Sequence, residues 1–216
     1  MSAAHITKKC LSNAPYCNKC GERGHIYKTC TGPTTSCGIA LFNYKDECLM
    51  VCRRDSISFV EFMRGRDTNM EHILRKVTTA ELHKIAEKRP DVSITDISGW
   101  ATPEWGWPKG RLAYYPEANT YCAMRELYEE VGLQHTQYTF LDIHPIIEEF
   151  TGTDGQKYKH IIFLARLTDE GAEIKLQEKE ISRAAWMSLD DIHTMFRPYE
   201  AHKMCLLQKI KAFFGK

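Results

Sequence analysis

The sequence predicts an α+β fold preceded by a small metal-stapled module, and three observations carry that expectation. Apolar runs of strand length recur on both sides of a longer stretch with helical patterning. That stretch ends at Gly132, a residue suited to the left-handed conformation that closes helices. Near the N-terminus, Cys17, Cys20, His25 and Cys30 stand in a C-x2-C-x4-H-x4-C pattern. A chain of 216 residues can hold one well-buried domain and a small module. We place the module at residues 1–33 and the domain at 37–216.

Bulk charge excludes little. Lys and Arg number 29 against 28 Asp and Glu, so only local patches can attract a polyanion. No apolar run approaches the ~20 residues that span a bilayer, and the start, MSAAHITKKC, lacks a signal-peptide core. The expectation is a cytoplasmic chain without a membrane span. Its nine cysteines would serve metal binding and packing in a reducing compartment.

The N-terminal pattern suits zinc. Tetrahedral Zn²⁺ takes four N or S ligands, and so short a loop can wrap it only if glycines such as Gly21 and Gly24 relieve the backbone. The pattern resembles the CCHC zinc knuckle of RNA-associated proteins. Lys8, Lys9, Lys19, Arg23 and Lys28 face only Glu22 in this region, with Tyr16, Ile26 and Tyr27 nearby. Such a surface suits single-stranded RNA through backbone attraction and stacking. The alternative is a zinc-stapled docking piece.

Residues 31–36 punctuate the chain as a linker. Residues 37–44 and 48–52 read as buried strands, with Cys37, Cys48 and Cys52 as core. Residues 57–63 read as a third strand. Residues 69–88 carry a helical pattern broken at Thr78-Thr79, giving two short helices expected beside the cleft. Trp100, Trp105 and Trp107 could be core or a stacking wall. Beyond the central helix, 138–148 and 158–166 read as strands joined by the turn at 152–155. Ser188 is a candidate N-cap, with Asp191 three residues on, for a helix reaching Phe196. A last amphipathic helix spans about 199–214, packing through Met204, Leu207, Ile210 and Phe214, with His202, Lys203, Lys209 and Lys211 on a solvated basic edge.

The chemistry concentrates in 108–133. Glu126, Glu129 and Glu130 share one helical face at i, i+3, i+4, where uncompensated like charges cost a few tenths of a kcal/mol per pair. That face is either solvated or covered by a divalent cation, and hard oxygen ligands suit Mg²⁺ or Mn²⁺. Arg125 and Glu117 can pair across the turn. The spacing resembles the Nudix box, G-x5-E-x7-R-E-U-x-E-E-x-G-U with U aliphatic, from Gly110 through Glu117, Arg125-Glu126-Leu127 and Glu129 to Leu133. One departure is an extra residue between Gly110 and Glu117.

Subfamily features narrow the resemblance. Glu104-Trp-Gly-Trp-Pro-Lys-Gly110 looks like the lead-in of mRNA-decapping enzymes, and Cys122-Ala-Met-Arg-Glu126 is similar to their C-A-x-R-E. Glu180-Ile181 with Trp186 resembles an E-I-x4-W element beyond the box. The segment from Arg53 to Gly65 resembles one in Nudix proteins of large nucleocytoplasmic DNA viruses.

The resemblance implies an α/β/α sandwich with a mixed sheet. It also implies a metal-dependent hydrolase that opens the 5′-5′ triphosphate bridge of capped RNA, releasing 7-methylguanosine diphosphate and 5′-monophosphate RNA, in host cytoplasm if viral. Gly110, Glu126, Glu129 and Glu130 would hold Mg²⁺ or Mn²⁺, and Glu130 or Glu180 would be the base. Lys109 and Arg111 would clamp phosphates. Two alternatives stand beside it: a Nudix enzyme acting on diphosphoinositol polyphosphates or nucleotides, and an RNA-binding regulator with an idle domain.

Overall fold

The computed structural model describes residues 14–113, 117–152 and 154–215. Lys8, Lys9 and part of the loop holding the extra residue before Glu117 lie outside the described residues.

The fold is built on β1 (Thr34–Phe42), all nine residues of which are buried. Such a run belongs in the middle of a sheet covered on both faces. Its sheet neighbours, in chain order, are β2 (Cys48–Arg53), β3 (Trp105–Gly106), β4 (Lys109–Arg111), β5 (Tyr138–Phe140), β6 (Ile146–Thr151), β7 (Lys157–Leu167) and β8 (Ile181–Met187). Strand β1 runs parallel to β7 from Thr34↔Tyr158 to Phe42↔Arg166. Antiparallel partners complete a mixed eight-stranded sheet: β2 and β4 on β1, β3 and β8 on β2, β5 and β6 on β7.

The helices among the described residues are α1 (Ile57–Met63), α2 (Met70–Leu74), α3 (Thr79–Lys88), α4 (Asn119–Val131), α5 (Leu189–Met195) and α6 (Ala201–Phe213). Alternation along β1 assigns them to layers. Cys37, Ile39 and Leu41 face Cys122, Ala123, Leu127 and Val131 of α4. Ala40 and Phe42 face Leu189 and Ile192 of α5 and Leu206, Leu207 and Ile210 of α6. The result is the expected α+β arrangement, with the mixed sheet between helices. Cys37, Cys48 and Cys52 are fully buried in it, as the apolar runs implied.

Helices α1 to α3 pack around a third cluster of Phe59, Ile73, Leu74, Val77, Leu82 and Ile85. The break at Thr78 is a capping box: its hydroxyl accepts from the Glu81 amide, and Glu81 accepts from the Thr78 amide at 2.7 Å. Ser188 caps α5 as its spacing with Asp191 implied.

Several expectations are corrected. Residues 57–63 are helix, not strand. Distant carboxylates decide this: Glu81 accepts from the Ser56 amide at 2.7 Å and Glu104 from the Ile57 amide at 3.2 Å, satisfying the helix's first donors. The linker at 31–36 ends early, because Thr34 to Ser36 already pair with β7. The strand expected over 138–148 is two strands, β5 and β6, each pairing with β7 in its own register. Lys203 is not on a solvated edge; it is buried and donates to Glu200 and to the Trp105 carbonyl, both at 2.5 Å. Trp105 and Trp107 are buried core, whereas Trp100 is half-buried and donates to the Arg75 carbonyl at 2.9 Å.

Candidate active site and the N-terminal Cys/His cluster

Helix α4 carries the carboxylate face, and its end is fixed by Gly132 at φ 75. That conformation costs an ordinary L-residue about 1 kcal/mol or more. The position is also crowded, since a Cβ there would lie 2.9 Å from Cβ of Lys175. The extended segment after β7 seals the helix end: the Lys175 amide donates to Val131 and the Gln177 amide to the Glu130 carbonyl.

Strand β4 brings Gly110 against the helix. A Cβ on Gly110 would fall 2.0 Å from the Glu126 carboxyl, so a side chain there would push that carboxylate out of its place against β4. Cys122 Sγ sits 3.6 Å from the Gly110 carbonyl oxygen.

Arg125 is the hub. Its guanidinium donates to Glu117 at 2.8 and 3.3 Å, to Glu126 at 2.7 Å, to Glu129 at 3.0 Å and to the Arg111 carbonyl at 2.8 Å. The Glu117 side chain is fully buried, and its second oxygen also accepts from the Ala113 amide at 2.7 Å. One arginine therefore ties the loop at both ends to the helix and spreads its charge over three carboxylates.

Glu130 is different. It is 9% exposed, and its Oε2 is buried with no hydrogen-bond partner. An unsatisfied buried carboxylate oxygen is costly. Burial pushes the Glu130 carboxyl well above the usual range, with Lys109 opposing and the nearby Glu126 reinforcing. Burial likewise pulls Lys109 down, helped by repulsion from Lys203 and Arg53. Glu126 is raised by burial against the pull of Arg125.

Glu126, Glu129 and Glu130 and the Gly110 carbonyl offer only hard oxygen donors, and one buried oxygen lacks any partner. This set fits a divalent cation such as Mg²⁺ or Mn²⁺. Glu129 and Glu180 are at the surface, as is Arg111.

A buried polar group on the opposite face of the sheet was not anticipated. Glu148 is 6% exposed with both oxygens lacking hydrogen-bond partners, and His160 Nδ1 lies 3.4 Å away. Burial pushes Glu148 up to about 7 and His160 down to about 2. His202 stacks on Phe150 with ring centroids 4.0 Å apart. The signal in sequence was Glu148 on the inward-facing register of a strand.

The N-terminal cluster is assembled. The ligand atoms of Cys17, Cys20, His25 and Cys30 all lie within 4.8 Å of one another, and Cys20 Sγ is 3.3 Å from His25 Nε2. Among the described residues no other group of three His, Cys, Asp or Glu side chains converges that closely, the box carboxylates included. Gly21 and Gly24 adopt φ of 83 and 101, and the Gly21 amide donates to the Cys17 carbonyl at 2.8 Å. Ile26 and Tyr27 are exposed. The donor set and its closeness fit zinc.

Among the described residues no helix is long and apolar enough to cross a membrane.

Comparison with known proteins agrees with this geometry. Residues 88–207 match the family model described as NUDIX domain. A protein of Acanthamoeba polyphaga mimivirus named "Putative mRNA-decapping protein" is 38% identical over 117 residues, covering 53% of this chain and 32% of that protein. The mRNA-decapping protein g5R of African swine fever virus (isolate Warthog/Namibia) is 31% identical over 108 residues, covering 46% of this chain and 43% of that protein. The matches thus span less than half the length of either relative. In fold alone, a Caenorhabditis elegans Ap4A hydrolase aligns with a TM-score of 0.52 at 17% identity, over 84% of this chain and 97% of that one. The Nudix domain of Shewanella oneidensis NrtR, complexed with ADP ribose, aligns at 0.50 and 14%, over 98% and 99%. With more than half of its length matched by the family model and the box carboxylates set on α4 against Gly110, the chain belongs to the Nudix family.

Proposed function

We propose that this chain is a divalent-metal-dependent hydrolase that removes the cap from mRNA. The observation that carries the substrate is the similarity of its Nudix region to two viral proteins named for mRNA decapping. The site chemistry is compatible. Glu126, Glu129, Glu130 and the Gly110 carbonyl would hold Mg²⁺ or Mn²⁺, which when bound neutralises charge on the triphosphate and acidifies water.

The chain's own groups account for the rest. A water oxygen attacks a bridge phosphorus, the bond to the bridging oxygen breaks, and the water's proton passes to a carboxylate. The products are 7-methylguanosine diphosphate and RNA with a 5′-monophosphate. Glu130, buried beside Lys109 with its Oε2 unpartnered, is one candidate base. Glu180, exposed and close enough to Glu126 to repel it, is the other candidate. Lys109, beside Glu130, is set to neutralise a phosphate; Arg111 is at the surface and would reach phosphates farther along. Zinc at Cys17, Cys20, His25 and Cys30 would be structural, with Lys19, Arg23, Lys28 and the exposed Tyr27 offered to single-stranded RNA. Host cytoplasm is the compartment this reading implies.

The test is incubation of the full chain with cap-labelled RNA and Mg²⁺ or Mn²⁺, followed by identification of the released nucleotide. Labelled 7-methylguanosine diphosphate is expected. Release of no cap nucleotide, with turnover of a diphosphoinositol polyphosphate or a free nucleotide instead, would replace this reading.

A further inference from the structure

The N-terminal cluster is fastened to the loop that carries the box. Tyr16, next to the first ligand, packs against the cluster containing Cys37, Leu112 and Cys122. Gly21, next to the second ligand, lies so close to Leu112 that a Cβ there would be 3.0 Å from Leu112 Cδ1. Backbone joins add to this: the Thr35 amide donates to the Lys19 carbonyl at 2.7 Å, and the Thr35 hydroxyl to the Cys20 carbonyl at 3.3 Å. Leu112 itself is 3% exposed, two residues beyond Gly110 and one before Ala113, whose amide is held by Glu117. The near side of the Gly110 loop is thus clamped by α4 through Arg125, and its far side by the Cys/His module.

We infer that the zinc-loaded module is a brace for the Gly110 loop, so that Tyr16 and Gly21 act as positioning residues for the metal-binding face of α4. Among its described residues the module's own hydrogen-bonded structure is slight, a Tyr16↔Arg23 bridge, tight turns and a 3₁₀ turn at Tyr27–Thr29. In small modules of this kind metal binding supplies the folding free energy. Without zinc, Tyr16 loses its fixed place against the cluster that holds Leu112, and Gly21 its place beside Leu112. The loop then gains freedom where positioning matters most, since a displacement of about 1 Å can cost a hundredfold in rate. The module is therefore more than an appended RNA-binding piece. The inference that this affects turnover rests on the proposed activity; the coupling to the loop does not.

The experiment uses the full chain and amide hydrogen exchange, which reads the loop whatever the substrate proves to be. Zinc content is measured first, with one equivalent expected for the wild type. Removing zinc with a thiol-directed mercurial and chelator, or by His25→Ala, should speed exchange at Thr35 and Ala113 tenfold or more and leave Ile146–Thr151 unchanged. The second variant, Tyr16→Ala, keeps all four ligands and should keep its zinc while still speeding exchange at Ala113 severalfold and weakening Mn²⁺ binding measured by spin resonance. A chain that binds no zinc, or unchanged Ala113 exchange in either variant, overturns the brace. Failure of the decapping assay alone, with the exchange results as expected, would overturn the substrate and leave the brace standing.

Discussion

The two candidate metal sites are built on opposite plans. The Cys/His cluster is local, its four ligands drawn from 14 consecutive residues and their donor atoms already within 4.8 Å. The box site is assembled from a strand and a helix that meet only in the folded sheet, and two of its carboxylates, Glu126 and Glu129, are held by one nitrogen of Arg125. A site whose metal is structural can be complete before anything else docks. A site that must exchange substrate keeps carboxylates partnered by a cation of the protein and leaves one buried oxygen on Glu130 open.

That contrast can be broken from either side. The largest effect is expected at the hub. Arg125→Ala strands the fully buried Glu117 carboxylate and should lower stability by about 3 kcal/mol or more, measured by chemical denaturation. A loss below about 1 kcal/mol would mean that Arg125 is merely a surface partner. Glu130→Gln comes next. It should cut turnover at least about a hundredfold, roughly 2.7 kcal/mol, while the melting temperature holds or rises, because the amide replaces a carboxyl whose charged form burial disfavours. Near-normal turnover in a folded Glu130→Gln protein would remove this residue from the metal and base roles together. The smallest effect is at the other site. Gly24→Ala meets no atom within 4 Å, so its cost is confined to backbone strain at φ 101, about 1–2 kcal/mol within the module. Zinc affinity should fall by one or two orders of magnitude at most. Complete loss of zinc would show that the cluster is less pre-assembled than its geometry implies.

The same contrast governs what could be foreseen. Spacing alone located Cys17, Cys20, His25 and Cys30, and it placed Glu126, Glu129 and Glu130 on one helix ended by Gly132, since each pattern is written within one short segment. Interactions between distant segments were invisible. In isolation the short apolar run ISFVEFM reads as a strand, whereas the first amides of helix α1 are satisfied by Glu81 and Glu104, 25 and 47 residues away. Lys203 reads as solvated despite Glu200 three residues before it, because the Trp105 carbonyl that completes its buried setting lies 98 residues away. The packing of Tyr16 against the cluster that holds Leu112, and the approach of Gly21 to Leu112, are of this second kind.

The parallel pairing of β1 with β7 has a consequence for the time course of synthesis. All nine residues of β1 find their partners about 120 residues later in the chain. At the ~5–20 residues per second of translation, the central strand waits on the order of ten seconds as an unpaired apolar segment. Its other partners offer little meanwhile: β2 meets it at a single registered pair and β4 at three. The interval before β7 emerges is therefore when the nascent chain is most open to aggregation and to capture by chaperones. Substitutions that slow completion of β7 should reduce the yield of soluble protein even where the finished fold tolerates them.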